Sequence, residues 1–243
     1  MTHVSWETRT PERCAASLRR SEAVPRPKRA TASFESRASL PLRTKRYPAF
    51  CYDCRMALFT GKGDGGTTKL FDSPQGVRVS KSSPMFECLG QLDELNTLVG
   101  WCKVAAPPDF LVGNEQVKTL LHDVQDHLFT IQAEVAGAAK SVPLTSVEAL
   151  SACINGIEKE LPEIKTFFVP GGTEFSARLD VTRAVSRRAE RRLVTVHESG
   201  DRVVSETSRA YANRLSSLFY ALTRLANHRA GVSENPPKYR DQP

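Results

Sequence analysis

The sequence contains no run of about 18 uninterrupted apolar residues, so no hydrophobic membrane-spanning helix is expected. It also lacks a secretory apolar core at its N-terminus, which argues against a disulfide framework built from its six cysteines. Cys14, Cys51 and Cys54 fall in a polar leader, while Cys88, Cys102 and Cys153 fall inside helical patterns, where a cysteine usually behaves as a small buried hydrophobe. Cys51-Tyr52-Asp53-Cys54 is a CxxC pair with neither a second ligand pair nor a strand-then-helix context, so no zinc or redox site is assigned to it. No Glu-x-x-His pair of the di-iron bundles occurs: Thr119, Val124, Val194 and Leu225 stand three residues before His122, His127, His197 and His228. His-Glu-x-x-His zinc motifs and Gly-x-Ser-x-Gly nucleophile elbows are absent as well.

Excess charge is missing from most of the chain. The formal charge of +7 belongs to residues 1–55, which carry 12 basic and 5 acidic side chains, whereas residues 56–243 carry 22 of each. A body that grips nucleic acid needs a basic surface of its own, so none is expected to do so here. Residues 1–55 are rich in Arg, Ser, Thr and Pro without helical or strand period and read as a disordered basic leader. An organellar transit segment, which would direct the protein to the mitochondrial matrix, is one reading, against which Glu7, Glu12, Glu22 and Glu35 count. A non-native extension is favoured, because Met56 directly precedes the apolar start Ala57-Leu58-Phe59; the expected location is then cytoplasmic.

What remains is 188 residues, 56–243, enough for one domain with a substantial core. The pattern is all-α. Ser83-Pro84 offers an N-cap and a proline at the first helical position, and Leu89, Leu92, Leu95, Val99 and Cys102 follow at three- and four-residue steps until Pro107-Pro108. Asn114 is read as the cap of a second helix with the stripe Val117, Leu120, Leu121, Val124, Leu128, Ile131 and Val135. Thr145 and Glu148 have capping-box spacing ahead of Val147, Leu150, Ile154, Ile157 and Leu161. Helices over about 174–197 and about 204–229 complete the set, the last with Tyr211, Leu215, Leu218, Leu222 and Leu225 as a bundle seam. Five helices with short links predict an up-and-down bundle.

Two features carry chemistry. The first is Thr60-Gly61-Lys62-Gly63-Asp64-Gly65-Gly66-Thr67-Thr68-Lys69, whose glycines permit positive φ. Its backbone amides can form an anion-binding nest, with Lys62, Lys69 and Lys81 as cationic donors; equally, it can be a hairpin turning at Asp64-Gly65. It is neither a Walker A loop nor a dinucleotide fingerprint. The second is the run Arg183 to Arg192, in which Arg183, Arg187 and Arg191 share one helical face with Glu190 beside them. Such a stripe is either a solvated basic face or a site for a polyphosphate, which guanidinium forks match. Ala184, Val185, Ala189 and Leu193 predict that the same helix also packs inward. Asp93 is placed near the buried side of the first helix, where an arginine of this cluster is its natural partner. Asn213-Arg214 is either helix surface or a polar hook for a ligand edge.

In order and spacing, Thr60 to Thr68, Asp93-Glu94-Leu95-Asn96, Pro170-Gly171-Gly172, Arg183 to Arg192 and Asn213-Arg214-Leu215-Ser216 with Leu218-Phe219 resemble the PduO-type ATP:cob(I)alamin adenosyltransferases, over about residues 58–240. The resemblance implies a ferritin-like five-helix bundle that forms a homotrimer with active sites between subunits. It implies transfer of the 5′-deoxyadenosyl group of ATP to the cobalt of a reduced corrinoid, with Mg²⁺ bound alongside ATP and triphosphate released. By position, Thr60, Gly61, Lys62, Gly63, Thr68, Lys69 and Lys81 would hold phosphates and nucleoside, and Arg187, Arg188, Glu190 and Arg191 would complete the ATP site with Asn213. Arg183 would pair with Asp93 across the subunit boundary, and Phe167 matches the aromatic residue that crowds out the corrinoid's lower ligand. A flavoprotein reductase and an adenosylcobalamin-dependent acceptor enzyme are the implied partners. A delivery module that binds nucleotide and corrinoid without turnover would carry nearly the same motifs. Two positions depart from the family pattern: Gly61, where a basic residue is frequent and Lys62 follows instead, and Leu179-Asp180, where Leu-His is common.

Overall fold

The computed structural model describes residues 59–238, so the readings of residues 1–55 as a leader and of Cys51–Cys54 lie outside the described residues. The five expected helices are present: α1 Pro84–Ala105, α2 Val117–Val135, α3 Leu144–Glu160, α4 Glu174–Glu198 and α5 Glu206–Arg229. Two two-stranded antiparallel ladders accompany them, β1 Thr67–Thr68 with β2 Val79–Ser80 and β3 Leu111–Val112 with β4 Glu115–Gln116. Among the described residues no helix is long and apolar enough to cross a membrane.

Cross-helix contacts fix the directions. Gln91 meets Arg188 while Cys102 meets Thr182, so α1 and α4 run antiparallel. Asn96 with Gln125 and Lys103 with His122 set α1 against α2 in the same sense. Arg229 closes on Glu160 at the C-terminal ends of α5 and α3, which are therefore parallel. This is the up-and-down bundle. The predicted stripes form its core: Leu92, Leu95 and Val99 of α1, Leu121, Val124, Leu128 and Ile131 of α2, and Tyr211, Leu215, Leu218, Leu222 and Leu225 of α5 are buried. Cys88 and Cys102 are buried with them; desolvation pushes the Cys88 thiol up to about 12, leaving it a packing residue rather than a nucleophile.

Several local expectations are corrected. Asn114 does not cap α2; it sits with Gly113 (φ +59°) at the tip of the β3–β4 hairpin, and Gln116 occupies the cap position. Thr145 and Glu148 form no capping box, because α3 already begins at Leu144 behind Pro143, whose carbonyl accepts from Ser146. Ser83 does hold the cap position of α1, ahead of Pro84, but its side chain makes no cap hydrogen bond. Ala184 faces solvent, while Leu179, Thr182, Val185, Ser186, Ala189, Leu193 and Val196 form the inward face of α4. Asp93 is exposed; the polar residues that α1 buries are Gln91 and Asn96.

The segment between α3 and α4 is held by a buried asparagine. Asn227 of α5 is fully buried; its Nδ2 donates to the Gly171 carbonyl at 2.9 Å and to Glu234 Oε1 at 2.6 Å, and its Oδ1 accepts from the Thr173 amide at 3.3 Å. Gly172 has φ +127°, and a Cβ there would lie 2.3 Å from Asn227 Oδ1, so glycine is needed both for the backbone and for the approach of this side chain. Asn227→Ala strands three polar groups and is expected to lower unfolding stability by about 1–3 kcal/mol, read from the urea midpoint at unchanged slope.

Candidate functional site

On α4 the helical period divides the arginines among three surroundings. Arg188 and Arg192 turn toward α1, where Arg188 Nη2 lies 2.7 Å from Glu94 Oε1 and its Nε donates to Gln91, and Arg192 lies 3.5 Å from Glu87. Arg188, expected to bind ATP, is thus engaged with α1, and its guanidinium holds the Glu94 carboxyl below the usual range. Arg183 is half-buried and lies 3.5 Å from Asp180, one turn earlier on α4. Arg187 and Arg191 take part in no ion pair among the described residues; both are exposed and project toward α5.

Arg187 and Arg191 line a groove of about 480 Å³ together with Glu190 and Asn213, whose Nδ2 donates to Glu190 Oε1 at 2.6 Å. Asn213 also accepts from Arg214, so it is a polar hook held in position. Arg187 is in addition a wall of a second, larger cavity of about 730 Å³, shared with Arg183 and lined on its apolar side by Leu161, Ile164, Phe167, Phe168 and Tyr220. Phe167 presents 77% of its surface and stands at the mouth of this cavity. The chain therefore brings together Arg183, Arg187, Glu190, Arg191, Asn213 and Phe167. It places guanidinium charge, which suits phosphate, directly beside an aromatic chamber, which suits a large planar molecule.

The family profile described as cobalamin adenosyltransferase matches residues 58–226. The chain belongs to the cobalamin adenosyltransferase family. It is 38% identical over 182 residues to the corrinoid adenosyltransferase PduO of Citrobacter freundii, covering 72% of this chain and 51% of that protein. With the corrinoid adenosyltransferase of Bacillus subtilis it shares 35% identity over 185 residues, 74% of this chain and 91% of the relative. The chain thus spans about half the length of the Citrobacter relative and nearly all of the Bacillus one. Among solved structures, a phenylalanine-to-alanine variant of the PduO-type ATP:corrinoid adenosyltransferase from Lactobacillus reuteri, complexed with cobalamin and ATP, superposes with a TM-score of 0.66 at 25% identity, covering 75% of this chain and all of that one. An arginine-to-lysine variant of that protein, complexed with ATP, gives 0.64 at 26%, covering 74% of this chain and all of that one.

The glycine strap of this cobalamin adenosyltransferase family member is not a hairpin about Asp64-Gly65. Two successive turns, closed by Asp64 N–H to Gly61 O and Gly66 N–H to Gly63 O, lead into β1, which pairs with β2 instead. Gly61 (φ +66°) and Gly66 (φ +72°) supply the conformations these turns require. Lys81 follows β2, and a Cβ on Gly63 would lie 3.0 Å from its Nζ, so the ammonium rests over the turn. The structure thus brings Lys81 over the Gly61–Gly63 turn and sets Thr68 beside Val79 of β2. No hydrogen bond or ion pair among the described residues joins the strap to Arg187 or Arg191.

Two arginines organise the strap, and neither stands out by spacing. Arg78 reaches back, its Nη2 donating to the carbonyls of Lys62 at 2.6 Å and Thr67 at 2.5 Å, and its Nε to Thr67 Oγ1 at 2.8 Å. Arg202, between α4 and α5, donates to Asp72 Oδ2 at 2.7 Å and to the Val135 carbonyl at 3.1 Å, pinning the far end of the strap to the end of α2. The hydrogen bond from Arg202 holds the Asp72 carboxyl below its ordinary range, so this anchor is complete above that range and is lost as pH falls through the lowered value. Because Arg78 is exposed, Arg78→Ala is expected to change global stability by no more than about 0.5 kcal/mol. It should nevertheless accelerate tryptic cleavage after Lys62 and Lys69, measured by mass spectrometry of the native protein.

Proposed function

We propose that this protein is an ATP:corrinoid adenosyltransferase, transferring the 5′-deoxyadenosyl group of ATP to the cobalt of a reduced corrinoid and releasing triphosphate. The observation that carries this reading is the sharing of Arg187 between the cationic groove and the aromatic cavity. One guanidinium stands where a triphosphate and a flat macrocycle would meet. The relatives named above as corrinoid adenosyltransferases, and the Lactobacillus protein complexed with cobalamin and ATP, support it.

The chemistry asks little of the protein as a reactant. The electron pair for the new Co–C bond comes from Co(I) of the substrate, and the C5′–O bond breaks with its pair leaving on the triphosphate. The protein must align the 5′ carbon with cobalt and neutralise charge growing on the leaving group. Arg187 and Arg191 do the second from α4, and Asn213, steadied by Glu190, faces the nucleoside. The amides of Gly61–Gly63 with Lys62, Lys69 and Lys81 complete the phosphate cradle. Among the described residues no hydrogen bond or ion pair joins strap to stripe; in the proposed homotrimer the strap of one subunit closes on α4 of the next, and exposed Asp93 meets Arg183 across that boundary.

Among the described residues no group of three His, Cys, Asp or Glu side chains could hold a metal ion. A lone carboxylate, Glu190, beside a triphosphate site fits Mg²⁺, which keeps phosphate and water as most of its ligands. Mg²⁺ bound there would add positive charge at the phosphates. Phe167 walls the corrinoid face, excluding water and an axial donor so that Co(II) becomes easier to reduce. A flavoprotein reductase would supply the reduced corrinoid, and an adenosylcobalamin-dependent enzyme would take the product.

Anaerobic turnover with ATP, Mg²⁺ and cob(I)alamin, followed by the absorbance change on Co–C bond formation, tests the assignment. Arg187→Ala and Arg191→Ala are each expected to lower kcat by about 100-fold or more with the fold intact. Wild-type turnover in either variant refutes the site, and binding without any Co–C bond formation in the wild-type protein makes it a delivery module. Phe167→Ala is expected to lose activity mainly when the corrinoid is supplied as Co(II); equal loss from pre-reduced Co(I) overturns the role given to that ring.

A further inference from the structure

Phe167 is largely exposed, so little of its own side chain holds it; its position is inherited from the loop on either side. That loop is fastened by charge. Arg224 of α5 is 97% buried with only 3% of its surface exposed, and its guanidinium lies 2.8 Å from Glu234 Oε1 and 3.6 Å from Asp180 Oδ2. Its Cζ sits over both rings, 5.3 Å from the ring centre of Phe168 and 5.0 Å from that of Tyr220. Asp180 is itself buried, lies 3.5 Å from Arg183 and accepts from the Gly171 amide at 3.3 Å. Val169 N–H donates to the Asn235 carbonyl at 2.9 Å, which ties the same loop to the segment after α5.

A buried guanidinium is retained at such a site only when carboxylates meet it, and removing one partner leaves an uncompensated charge. Here two carboxylates from different segments, α4 and the tail after α5, meet one guanidinium from α5. Arg224 Nε and Nη1 both lack a hydrogen-bond partner among the described residues, so the guanidinium is held by ion pairing rather than by hydrogen bonds, and the side chain lines the aromatic cavity. The geometry is that of a clasp: the arginine lies over the Phe168 ring, Val169 is bonded to the tail, Gly171 is bonded to Asp180, and Phe167 is the free end.

We propose that Arg224, bridging Asp180 and Glu234, is a positioning residue that sets Phe167 against the corrinoid face. It acts through Phe168 and the loop, without itself touching the reacting atoms. This rests on the reading above that Phe167 meets the corrinoid.

The test compares turnover begun from cob(II)alamin plus reductant with turnover begun from pre-reduced cob(I)alamin, in wild type, Phe167→Ala, Arg224→Lys, Glu234→Gln and the double variant Phe167→Ala/Glu234→Gln. Arg224→Lys keeps the charge and loses the planar guanidinium; Glu234→Gln removes the tail carboxylate while its amide oxygen can still accept from Asn227, and serves if the lysine variant does not fold. The ratio of Co(II)-begun to Co(I)-begun rates is expected to fall about tenfold or more in each single variant, as a displaced positioning group would cause. In the double variant it should fall no further than in Phe167→Ala, because both changes remove the same effect. If Phe167→Ala lowers the ratio and neither clasp variant does, or if the losses multiply, the clasp assignment is wrong. If Phe167→Ala itself leaves the ratio unchanged, the underlying reading of the cavity fails instead.

Discussion

Guanidinium groups cannot be buried unpaired, and this constraint organises the molecule around α4. Five arginines fall between residues 183 and 192 of a helix that must also pack against its neighbours. With 3.6 residues per turn, one face goes to Leu179, Ala189, Leu193 and Val196, and the arginines are left to the flanks. On the α1 flank carboxylates meet them. On the α5 flank the neighbour is Asn213 rather than an acid, so Arg187 and Arg191 keep their positive potential for something outside the chain. The difference between an arginine paired within the chain and an unpaired one is thus a matter of which helix it faces, one residue apart in sequence.

That distinction also explains what could be read in advance. The five helices were legible because Leu, Val and Ile recur at helical steps over long stretches, and packing honours that period. The cluster Arg187, Glu190, Arg191 and Asn213 was legible because three of its members lie on one turn series and the fourth lies in a motif on the next helix. Arg188 was assigned to the same site, yet 100° of rotation places it on α1. The burial expected of Asp93 is not found for the same reason: it follows Leu92 directly, and a step of one residue carries it out of the seam to the surface. Gln91 and Asn96 were passed over because they are polar, although their hydrogen bonds to Arg188 and Gln125 make them the polar residues that α1 can bury.

The caps failed through local competition. Asn114 suits a helix cap, but Gly113-Asn114 between two residue pairs suits a two-residue hairpin at least as well, and the hairpin won. Arg78, Arg202 and Arg224 carried no local signal at all. Each acts on residues far away in sequence: Arg78 on the strap sixteen residues before it, Arg202 on Asp72 and Arg224 on Asp180. A single basic residue in an otherwise ordinary stretch acquires meaning only once the chain has folded.

Strap and clasp answer the same physical problem in different ways. The strap, for which a nucleotide is proposed, is held by exposed contacts, a guanidinium over carbonyls and one ion pair at the end of α2, which solvent weakens and local opening can break. The Phe167 loop, for which a macrocycle is proposed, has buried fastenings, with Asn227 and Arg224 shielded from water. Burial raises the cost of breaking each contact and so narrows the range of positions the ring samples. The cavity is therefore stiff where geometry matters and loosely tied where exchange does, and the boundary between the two regimes runs along α4, through Arg187.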